Sequence, residues 1–393
     1  LFLDTSDSNT TNLTGNITTA GDDAYGLYLF TSDSNTTNLT GNITTAGDFA
    51  FGLYLNTSDS NTTNLTGNIT TTGDGAYGLS LSSSNSNTTN LTGNITTTGA
   101  VGHGLYLLAS DSNTTNLTGN ITTTGGGAYG LYLFDSDSNT INLTGNIKTT
   151  GNAANGLWLL DSDSNTTNLT GNITTTGDAA YGLYLNTSDS NTTNITGNII
   201  TSGLSSRGVY LENSDENSIT MTGNITTSGT GADGILIDNA SSSNTINMTG
   251  NFTTSGSGAS AVVIDNASNN NIINLTSNVI SSGTGSHGIE IISSDSNTVN
   301  WIGGMTSTNT GSHAILINDS ESNIINITGD INSSGLGATA MWIAGATVSN
   351  TINLTGNINV TGQNASGLYI RTGSNSNTFT INGNIITSGT DGD

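Results

Sequence analysis

The residues with the most definite chemistry are asparagines that stand two positions before a threonine. Asn-x-Thr, with any residue except Pro at x, is the acceptor for N-linked glycans. The chain repeats it in pairs such as Asn12-Leu-Thr14 and Asn16-Ile-Thr18. Residues i and i+2 of a strand lie on one face, so each Asn is expected to point outward with its Thr. We therefore hypothesise that some of these asparagines carry glycans. The candidate acceptors are Asn12, Asn16, Asn38, Asn42, Asn64, Asn68, Asn90, Asn94, Asn116, Asn120, Asn168 and Asn172.

Two other interpretations of this face remain open. Glycans on every copy would crowd at a strand spacing of about 4.8 Å, so the face can also be a bare polar surface whose repeat contains a common tripeptide. A regular lattice of Thr and Asn also resembles the ice-binding surface of antifreeze β-helices, although here Asn interrupts the Thr rows.

Aromatic residues form two columns when the repeated segments are aligned. One column contains Tyr25, Phe51 and Tyr77, and the other runs through a repeated Gly-Leu-Tyr-Leu segment. Stacking between neighbouring copies is the simpler interpretation. The alternative is an exposed strip that binds sugars or packs fibres side by side. The candidates for lateral contact are Tyr28, Tyr54, Tyr106, Tyr132, Trp158 and Tyr184.

Aspartates form an acidic column that includes Asp7, Asp33 and Asp59. Like charges one strand apart repel by about 1 kcal/mol in water, and Ca²⁺ would relieve this because carboxylate and carbonyl oxygens suit it. The Gly-rich nonapeptide that binds Ca²⁺ in other β-helices is absent, so solvated turn carboxylates are the preferred interpretation. We predict no cofactor, and keep Ca²⁺ at these three aspartates as the alternative.

An active site needs a set of catalytic residues that occurs once in the chain, whereas nearly every polar residue here recurs in each repeat. His103, His287 and His313 are far apart in copy number, and no nucleophile, base and orienting group stand together in the sequence. Glycoside hydrolysis by paired carboxylates needs a cleft, which columns of aspartate do not provide. The sequence therefore predicts that the protein is not an enzyme.

The composition excludes two classes of partner. The chain has 393 residues with only 3 Lys and Arg, 28 Asp and Glu, and a net charge of −25. Nucleic acids and anionic membrane surfaces require clustered basic residues. No run of 18 or more apolar residues is present, so no membrane insertion is expected. The absence of Cys excludes a disulfide framework.

All of these columns follow from one repeat. The Asn of a Ser-Asn-Thr motif recurs every 26 residues up to Asn217 and every 26 or 27 residues from there to Asn377, which gives fifteen copies. A position kept in every copy predicts a ladder of buried asparagines whose side-chain amides bond from copy to copy at a corner. The residues of this ladder are Asn9, Asn35, Asn61, Asn87, Asn113, Asn139, Asn165 and Asn191.

The spacing of apolar residues within a copy predicts strands. Leu27 and Leu29 alternate with an outward Tyr28, and the second, fourth and eighth positions after the repeated Asn are apolar in many copies. We predict an all-β, right-handed parallel β-helix with about three short strands in each 26–27-residue coil and 15 coils, the handedness by analogy with βαβ crossovers. Residues 1–393 are predicted to form one solenoid without separate domains, with regular coils in 1–217 and more diverged coils in 218–393.

The repeated unit resembles a family of secreted proteins. Its pattern, Asn-Leu-Thr-Gly-Asn-Ile-Thr-Thr-x-Gly-x-x-Ala-Tyr-Gly-Leu-Tyr-Leu, is similar to the passenger repeats of bacterial autotransporter-type adhesins and related surface β-helices. The resemblance extends over the whole chain. It implies export and a surface or adhesive role, although neither a translocator barrel nor a secretion signal is present in this sequence.

These observations predict a non-enzymatic structural protein of an extracellular filament or cell-surface fibre. Both ends of the chain are ordinary coils, so the expected partner is the protein itself, by head-to-tail stacking or by continuation within a longer chain. The alternative is a surface adhesin that binds host or surface glycans, and an ice-binding β-helix is a further alternative.

Overall fold

The computed structural model describes residues 1–391, and these residues contain 45 short strands. The chain divides into two compact units, Leu1–Gly197 and Asn198–Asp393. In the sequence, the regular 26-residue repeats end at residue 217, whereas the two compact units divide at residue 197. A single solenoid with a boundary between regular and diverged coils at residue 217 therefore stays a prediction. No helix in residues 1–391 has the length and apolarity needed to span a membrane.

The first unit contains 23 strands. They are β1 Phe2–Asp4, β2 Thr10–Thr14, β3 Ile17–Thr19, β4 Leu27–Phe30, β5 Thr36–Thr40, β6 Ile43–Thr45, β7 Leu53–Asn56, β8 Thr62–Thr66, β9 Ile69–Thr71, β10 Leu79–Ser82, β11 Thr88–Thr92, β12 Ile95–Thr97, β13 Leu105–Leu108, β14 Thr114–Thr118, β15 Ile121–Thr123, β16 Leu131–Phe134, β17 Thr140–Thr144, β18 Ile147–Thr149, β19 Leu157–Leu160, β20 Thr166–Thr170, β21 Ile173–Thr175, β22 Leu183–Asn186 and β23 Thr192–Thr196.

These strands form three parallel sheets in which each strand pairs with the strand one coil away. The sheet orders within this unit are β1-β4-β7-β10-β13-β16-β19-β22, β2-β5-β8-β11-β14-β17-β20-β23 and β3-β6-β9-β12-β15-β18-β21. The register follows the repeat, because Asn90 pairs with Asn64 on one side and with Asn116 on the other.

The second unit contains the remaining described strands. They are β24 Ile199–Thr201, β25 Val209–Glu212, β26 Ser218–Thr222, β27 Ile225–Thr227, β28 Ile235–Asp238, β29 Thr245–Thr249, β30 Phe252–Thr254, β31 Val262–Ile264, β32 Ile272–Thr276, β33 Val279–Ser281, β34 Ile289–Ile292, β35 Thr298–Ile302, β36 Met305–Ser307, β37 Ile315–Asn318, β38 Ile324–Thr328, β39 Ile331–Ser333, β40 Met341–Ala344, β41 Thr351–Thr355, β42 Ile358–Val360, β43 Leu368–Ile370, β44 Thr378–Asn382 and β45 Ile385–Thr387.

The second unit repeats the same three-sheet arrangement. Its orders are β24-β27-β30-β33-β36-β39-β42-β45, β25-β28-β31-β34-β37-β40-β43 and β26-β29-β32-β35-β38-β41-β44. Each unit is therefore a parallel β-solenoid of the right-handed type with three strands per coil, which confirms the predicted fold class.

The core is a narrow apolar column inside the coils. Leu27 and Leu29 of β4, Leu39 of β5 and Ile43 of β6 are at most 2% exposed, because alternate residues of each short strand point inward. Thr37 is also fully buried, at a position where other copies have Ile or Val. The second position after the repeated Asn was predicted to point into the core, and it does so even in a coil where the residue is Thr.

The corner between the second and third strands depends on glycine. Gly41 has φ of +147° and lies above Gly15, so that a Cβ at Gly41 would overlap the carbonyl oxygen of Gly15. A residue with a side chain would therefore meet both an unfavourable backbone conformation and a steric clash. This close approach lets successive corners stack at the spacing of paired strands.

Candidate functional site

The repeated Asn forms a buried ladder, which we call the buried Asn ladder. Asn35 and Asn61 are each 1% exposed, and the backbone N–H of Asn35 donates to Oδ1 of Asn61 at 2.8 Å. The bond therefore joins a side chain to the backbone of the preceding coil. Nδ2 of Asn61 donates instead to the carbonyl of Ser32 at 2.8 Å. The same backbone-to-Oδ1 bond, at 2.8 Å, links Asn9, Asn35, Asn61, Asn87, Asn113, Asn139, Asn165 and Asn191 in sequence. Asn9, in the first coil, is exposed, and the other seven are buried as predicted.

The twelve candidate glycan acceptors separate into two ladders with different geometry. The outer Asn ladder begins at Asn12, and its members point out from the second strand of each coil. Nδ2 of Asn38 donates to Oδ1 of Asn12 at 2.8 Å, and Asn64 repeats this toward Asn38. From Asn38 onward these side chains are half-buried, and the nitrogen that would carry a glycan is a hydrogen-bond donor. The candidates in the outer Asn ladder are Asn12, Asn38, Asn64, Asn90, Asn116 and Asn168.

The corner Asn ladder begins at Asn16 and lies between the second and third strands. Here Oδ1 is the bonded atom, because the backbone N–H of Asn42 donates to Oδ1 of Asn16 at 2.8 Å. Nδ2 makes weaker contacts, such as the 3.2 Å bond from Asn94 to Asn68. All candidates in this ladder except the half-buried Asn172 are exposed. They are Asn16, Asn42, Asn68, Asn94, Asn120 and Asn172.

The aromatic residues of the first unit stack from coil to coil. The rings of Tyr28 and Tyr54 are 5.0 Å apart with planes 4° from parallel, and the rings of Tyr132 and Trp158 are 4.7 Å apart at 17°. Stacking covers the ring faces, and the hydroxyl of Tyr184 accepts a hydrogen bond from Nδ2 of Asn186 at 2.8 Å. Burial, together with the neighbouring phenols, raises the pKa of Tyr54 to about 12. The ring faces that usually pack against sugars are therefore occupied by neighbouring rings.

The six lateral-contact candidates differ in exposure. Tyr28, Tyr54, Tyr106 and Trp158 are half-buried, whereas Tyr132 and Tyr184 are 8% exposed. A surface contact would therefore use the first four more than the last two.

His103 belongs to the aromatic stack of the first unit, although it was not predicted there. The signal was its position 26 residues after Tyr77 in the aromatic column. Its ring lies 4.8 Å from that of Tyr77 and 4.7 Å from that of Tyr129. The backbone N–H of Tyr129 donates to Nδ1 of His103 at 3.1 Å, and burial lowers the pKa of His103 to about 3. The imidazole is thus a neutral member of the stack.

The carboxylates proposed for Ca²⁺ accept backbone hydrogen bonds. Oδ1 of Asp7 accepts from the N–H of Asp33 at 2.8 Å, and Oδ1 of Asp33 accepts from the N–H of Asp59 at 2.7 Å. Asp59 accepts from the N–H of Asn85 at 2.6 Å. Within residues 1–391, no group of three or more His, Cys, Asp or Glu side chains is arranged to hold a metal ion.

A cluster of charged residues in the second unit was missed by the sequence analysis. The carboxylate of Asp233 is 3.5 Å from Nε of Arg207 and accepts from the N–H of Ser260 at 2.8 Å. The hydroxyl of Ser260 donates to Glu290 at 2.9 Å. Burial raises the pKa of Asp233 to about 7 and also raises that of Glu290. The signal for this cluster was the replacement of ring residues such as Tyr25 by Arg, Asp and Ser in the same column.

His287 and His313 stack in adjacent coils of the second unit, with ring centres 5.1 Å apart. The N–H of His313 donates to Nδ1 of His287 at 3.0 Å, and the N–H of Thr339 donates to Nδ1 of His313 at 3.0 Å. Burial lowers the pKa of both rings to about 4. The prediction that the histidines are far apart in copy number is therefore wrong for this pair, which lies in adjacent coils. One nitrogen of each ring accepts a backbone hydrogen bond.

A groove of about 350 Å³ lies on the outer face of the second unit, along β26, β29, β32 and β35. One wall is the outer Asn ladder, represented here by Asn247 and Asn274, and the other is a row of exposed Thr that includes Thr249. Thr220 and Ile302 line its two ends. The sequence did not indicate this groove, because the same Asn and Thr columns run along the whole repeat.

Comparison with known proteins gives one partial match. Residues 109–246 match the model of a family described as periplasmic copper-binding protein (NosD). The match concerns little more than a third of the chain, and what it shares with the resemblance to adhesin passengers is the parallel β-helix repeat. No curated protein and no solved structure matches the chain.

The residues of the matched segment do not fit a copper ion. Copper is bound by imidazole, thiolate and thioether groups, and residues 109–246 contain neither His nor Cys. Their one Met, Met221, is 2% exposed and belongs to the core. The histidines nearest to one another, His287 and His313, lie outside the segment and accept backbone hydrogen bonds through Nδ1.

Proposed function

We propose that this protein is a structural β-solenoid that acts outside the cytoplasm as a filament or cell-surface fibre, and that it catalyses no reaction. One observation carries the proposal: within each unit, successive coils pair in parallel, and most coils present to the next coil the same partners that they receive from the previous one. Asn90, for example, pairs with Asn64 and with Asn116 and donates in the same direction at each step.

Such a surface favours head-to-tail growth. A contact between two different faces that repeats without closing gives an open polymer, and an unpaired strand is a template for another strand. The expected partner is therefore a further copy of the protein or the continuation of a longer chain. The in-register ladders would align each added coil, because a slip of one residue would turn the apolar side chains outward.

A location outside the cytoplasm is supported by the family match and by the composition. The matched family is described as periplasmic. A chain with 28 acidic and 3 basic residues repels other acidic surfaces and stays soluble where it is exposed. Glycans on the Asn ladders would add to this solubility.

The non-enzymatic part of the proposal is supported by the burial of the charged cluster in the second unit. Asp233 is 8% exposed and is bonded to Ser260, which is itself bonded to Glu290. Carboxyl groups that act on a polymeric substrate must face it, and a carboxylate as buried as Asp233 is suited to a structural role.

A surface adhesin that binds glycans is the second candidate. It is favoured by the groove in the second unit, where the repeat is broken by Thr220 and Ile302. An adhesin and a filament are compatible, since a fibre can present a binding groove.

Electron microscopy of the purified full chain tests the filament proposal. We expect unbranched filaments with an axial repeat of about 4.8 Å in diffraction from aligned material. A monodisperse monomer that forms no filaments over a wide range of concentration, salt and Ca²⁺ would contradict the proposal. Growth that requires Ca²⁺ would support the alternative role of Asp7, Asp33 and Asp59.

A further inference from the structure

The groove of the second unit is where the outer Asn ladder is interrupted. Nδ2 of Asn274 donates to Oδ1 of Asn247 at 2.8 Å, and Nδ2 of Asn300 donates to Oδ1 of Asn274 at 2.8 Å. The next coil in this direction has Thr220 instead of Asn. Thr220 is too short to continue the ladder, so Nδ2 of Asn247 donates to no protein acceptor and lies at the groove.

The ladder gives this free donor a defined direction. Its bonds all run the same way, because Asn326 and Asn353 donate toward Asn300 and Asn326 at 2.8 and 2.9 Å. Aligned amides polarise one another, so a donor at the end of the chain binds an acceptor more strongly than an isolated amide does. The position that an Asn carboxamide occupies in most other coils is thus available to a carbonyl group from outside.

Exposed isoleucines distinguish the same face from the rest of the repeat. Ile272, Ile302 and Ile324 are 43%, 58% and 41% exposed, at positions where most coils have Thr. All three point outward from the strands β32, β35 and β38, and Ile302 lines the groove. Ile302 therefore gives one end of the groove an exposed apolar side chain where most coils have a hydroxyl group.

The span and charge of the groove restrict its ligand. From Thr220 to Ile302 it crosses four neighbouring strands, or about 14 Å at the usual strand spacing, and its sides offer amide and hydroxyl groups. Thr222, Thr249 and Thr276 supply the hydroxyls on one side. The net charge of −25 disfavours an anion. A neutral ligand with hydroxyl groups, a carbonyl acceptor and apolar patches suits this lining.

We propose that the groove binds a short glycan that carries acetamido groups. The carbonyl of one acetamido group accepts a hydrogen bond from Nδ2 of Asn247 and takes the place of the carboxamide that Thr220 lacks. Sugar hydroxyls bond to the Thr row, and the apolar side of a further sugar packs against Ile302. This inference deepens the adhesin alternative and does not depend on filament growth.

Two substitutions that restore the repeat test the proposal without endangering the fold. Thr220→Asn completes the outer Asn ladder, and Ile302→Thr restores the hydroxyl row. Ile280→Thr is the matched control, since Ile280 is 49% exposed in the third sheet, outside the groove, at a position where most coils have Thr. Thermal unfolding of the full-length variants verifies that each is folded.

The binding probe is triacetylchitotriose, with cellotriose as the matched sugar without acetamido groups, measured by isothermal titration or ligand-observed NMR. We expect a Kd on the order of 1 mM for triacetylchitotriose with the unmodified protein and at least about tenfold weaker binding of cellotriose. Thr220→Asn should weaken binding about tenfold and Ile302→Thr several-fold. Ile280→Thr should leave it unchanged.

Three results would overturn the proposal. These are no detectable binding of triacetylchitotriose, equal binding of the two sugars, or unchanged affinity in Thr220→Asn. The same preparations are imaged for filaments. If the protein binds the sugar in a Thr220-dependent way but forms no filaments, only the filament proposal is rejected. If it forms filaments but does not bind the sugar, only the glycan-binding groove is rejected.

Discussion

Ser260 donates its backbone N–H to the carboxylate of Asp233 at 2.8 Å, so that a carboxyl group with 8% exposure is held inside the second unit. The Ser260 hydroxyl also donates to Glu290 at 2.9 Å. Arg207, 3.5 Å from Asp233, provides the nearest positive charge, and it favours the ionised carboxylate while burial opposes it. Ser260 thus links the two carboxyl groups, through its backbone N–H to Asp233 and through its hydroxyl to Glu290.

The first prediction concerns pH. Burial raises the pKa of Asp233 to about 7, from 3.8 in the unfolded chain, so the folded state holds a proton that the unfolded state has lost. This contribution to stability is complete below pH 3.8 and is lost as the pH rises through 7. Between pH 6.5 and 8 we expect the contribution of Asp233 to the free energy of unfolding to fall by about 1 kcal/mol.

The histidines act in the opposite direction, mostly below this window. The pKa values of His287 and His313 are lowered to about 4 from 6.5, so their contribution rises with pH, and about 0.4 kcal/mol per ring is still gained above pH 6.5. Hydrogen exchange of amides around β28 and β31 at pH 6.5 and 8 measures the effect. Asp233→Asn should remove the fall and leave only the small rise from the histidines, whereas Asp48→Asn, which changes an exposed carboxylate, should behave like the unmodified protein. An identical pH dependence in Asp233→Asn would contradict the assignment.

The sequence predicted columns but could not predict which atoms bond along them. The drift from Thr37 to Ile and Val in other copies identified an inward position, and Thr37 is fully buried. The buried Asn ladder was predicted as bonds between amides, whereas in the first unit Oδ1 of Asn61 accepts the backbone N–H of Asn35. Residue spacing fixes the distance between copies, but the rotation of a carboxamide depends on which backbone groups the corner leaves unpaired.

The charged cluster was not found because it crosses columns. Asp233 and Ser260 belong to the corner column, and Glu290 belongs to the outward position of β34. A search for copies within one column compares each residue only with its equivalents. The contact between Ser260 and Glu290 depends on how the corner folds back beside the strand. The spacing of the repeats alone does not reveal that geometry.

The second prediction concerns lateral packing of filaments. Tyr28, Tyr54 and Tyr106 are half-buried, so part of each side chain is accessible for a lateral contact. Replacing all three with Ser should leave single filaments but reduce their bundling several-fold. Each replacement should also cost about 1 kcal/mol of stability through lost ring stacking.

Electron microscopy and light scattering at matched protein concentration measure bundling. The triple Phe variant keeps the stacked rings and removes the hydroxyls, so it distinguishes a contact made by hydroxyl groups from one made by ring edges. Unchanged bundling in the triple Ser variant would exclude this strip as the lateral contact.

The third prediction concerns the buried Asn ladder. Oδ1 of Asn113 accepts the backbone N–H of Asn87 at 2.8 Å, and Asn113 is 1% exposed. Asn113→Ala would leave that N–H buried without a partner, at a cost of about 1–3 kcal/mol. Asn116→Ala is the matched control, because it removes a bond from the half-buried outer Asn ladder where water can replace it.

Chemical denaturation measures both variants. Asn113→Ala should lower the midpoint without changing the slope, as expected when stability changes and the surface exposed on unfolding does not. Asn116→Ala should change the free energy of unfolding by less than about 1 kcal/mol. Equal effects of the two substitutions would show that burial of the ladder contributes no stability.

The fourth prediction concerns glycan occupancy. In the outer Asn ladder, Nδ2 of Asn64 donates to Asn38 at 2.8 Å and the side chain is half-buried. In the corner Asn ladder, Asn68 is exposed and its Oδ1 is the atom that bonds, to the N–H of Asn94 at 2.8 Å. A glycan on Asn68 therefore leaves the 2.8 Å bond intact, so we expect occupied sites to fall mainly in the corner Asn ladder.

Site-resolved mass spectrometry of protein from its native host tests this, because neighbouring acceptors are only four residues apart. Thr70→Ala removes the acceptor motif of Asn68, and Thr66→Ala removes that of Asn64, so the two variants form a matched pair. The intact mass should fall by one glycan in Thr70→Ala and should keep every glycan in Thr66→Ala. Loss of a glycan in Thr66→Ala alone would reverse the assignment, and a native mass equal to that of the bare chain would reject glycosylation altogether. The outcome follows from which atom of each carboxamide is already bonded along the ladder.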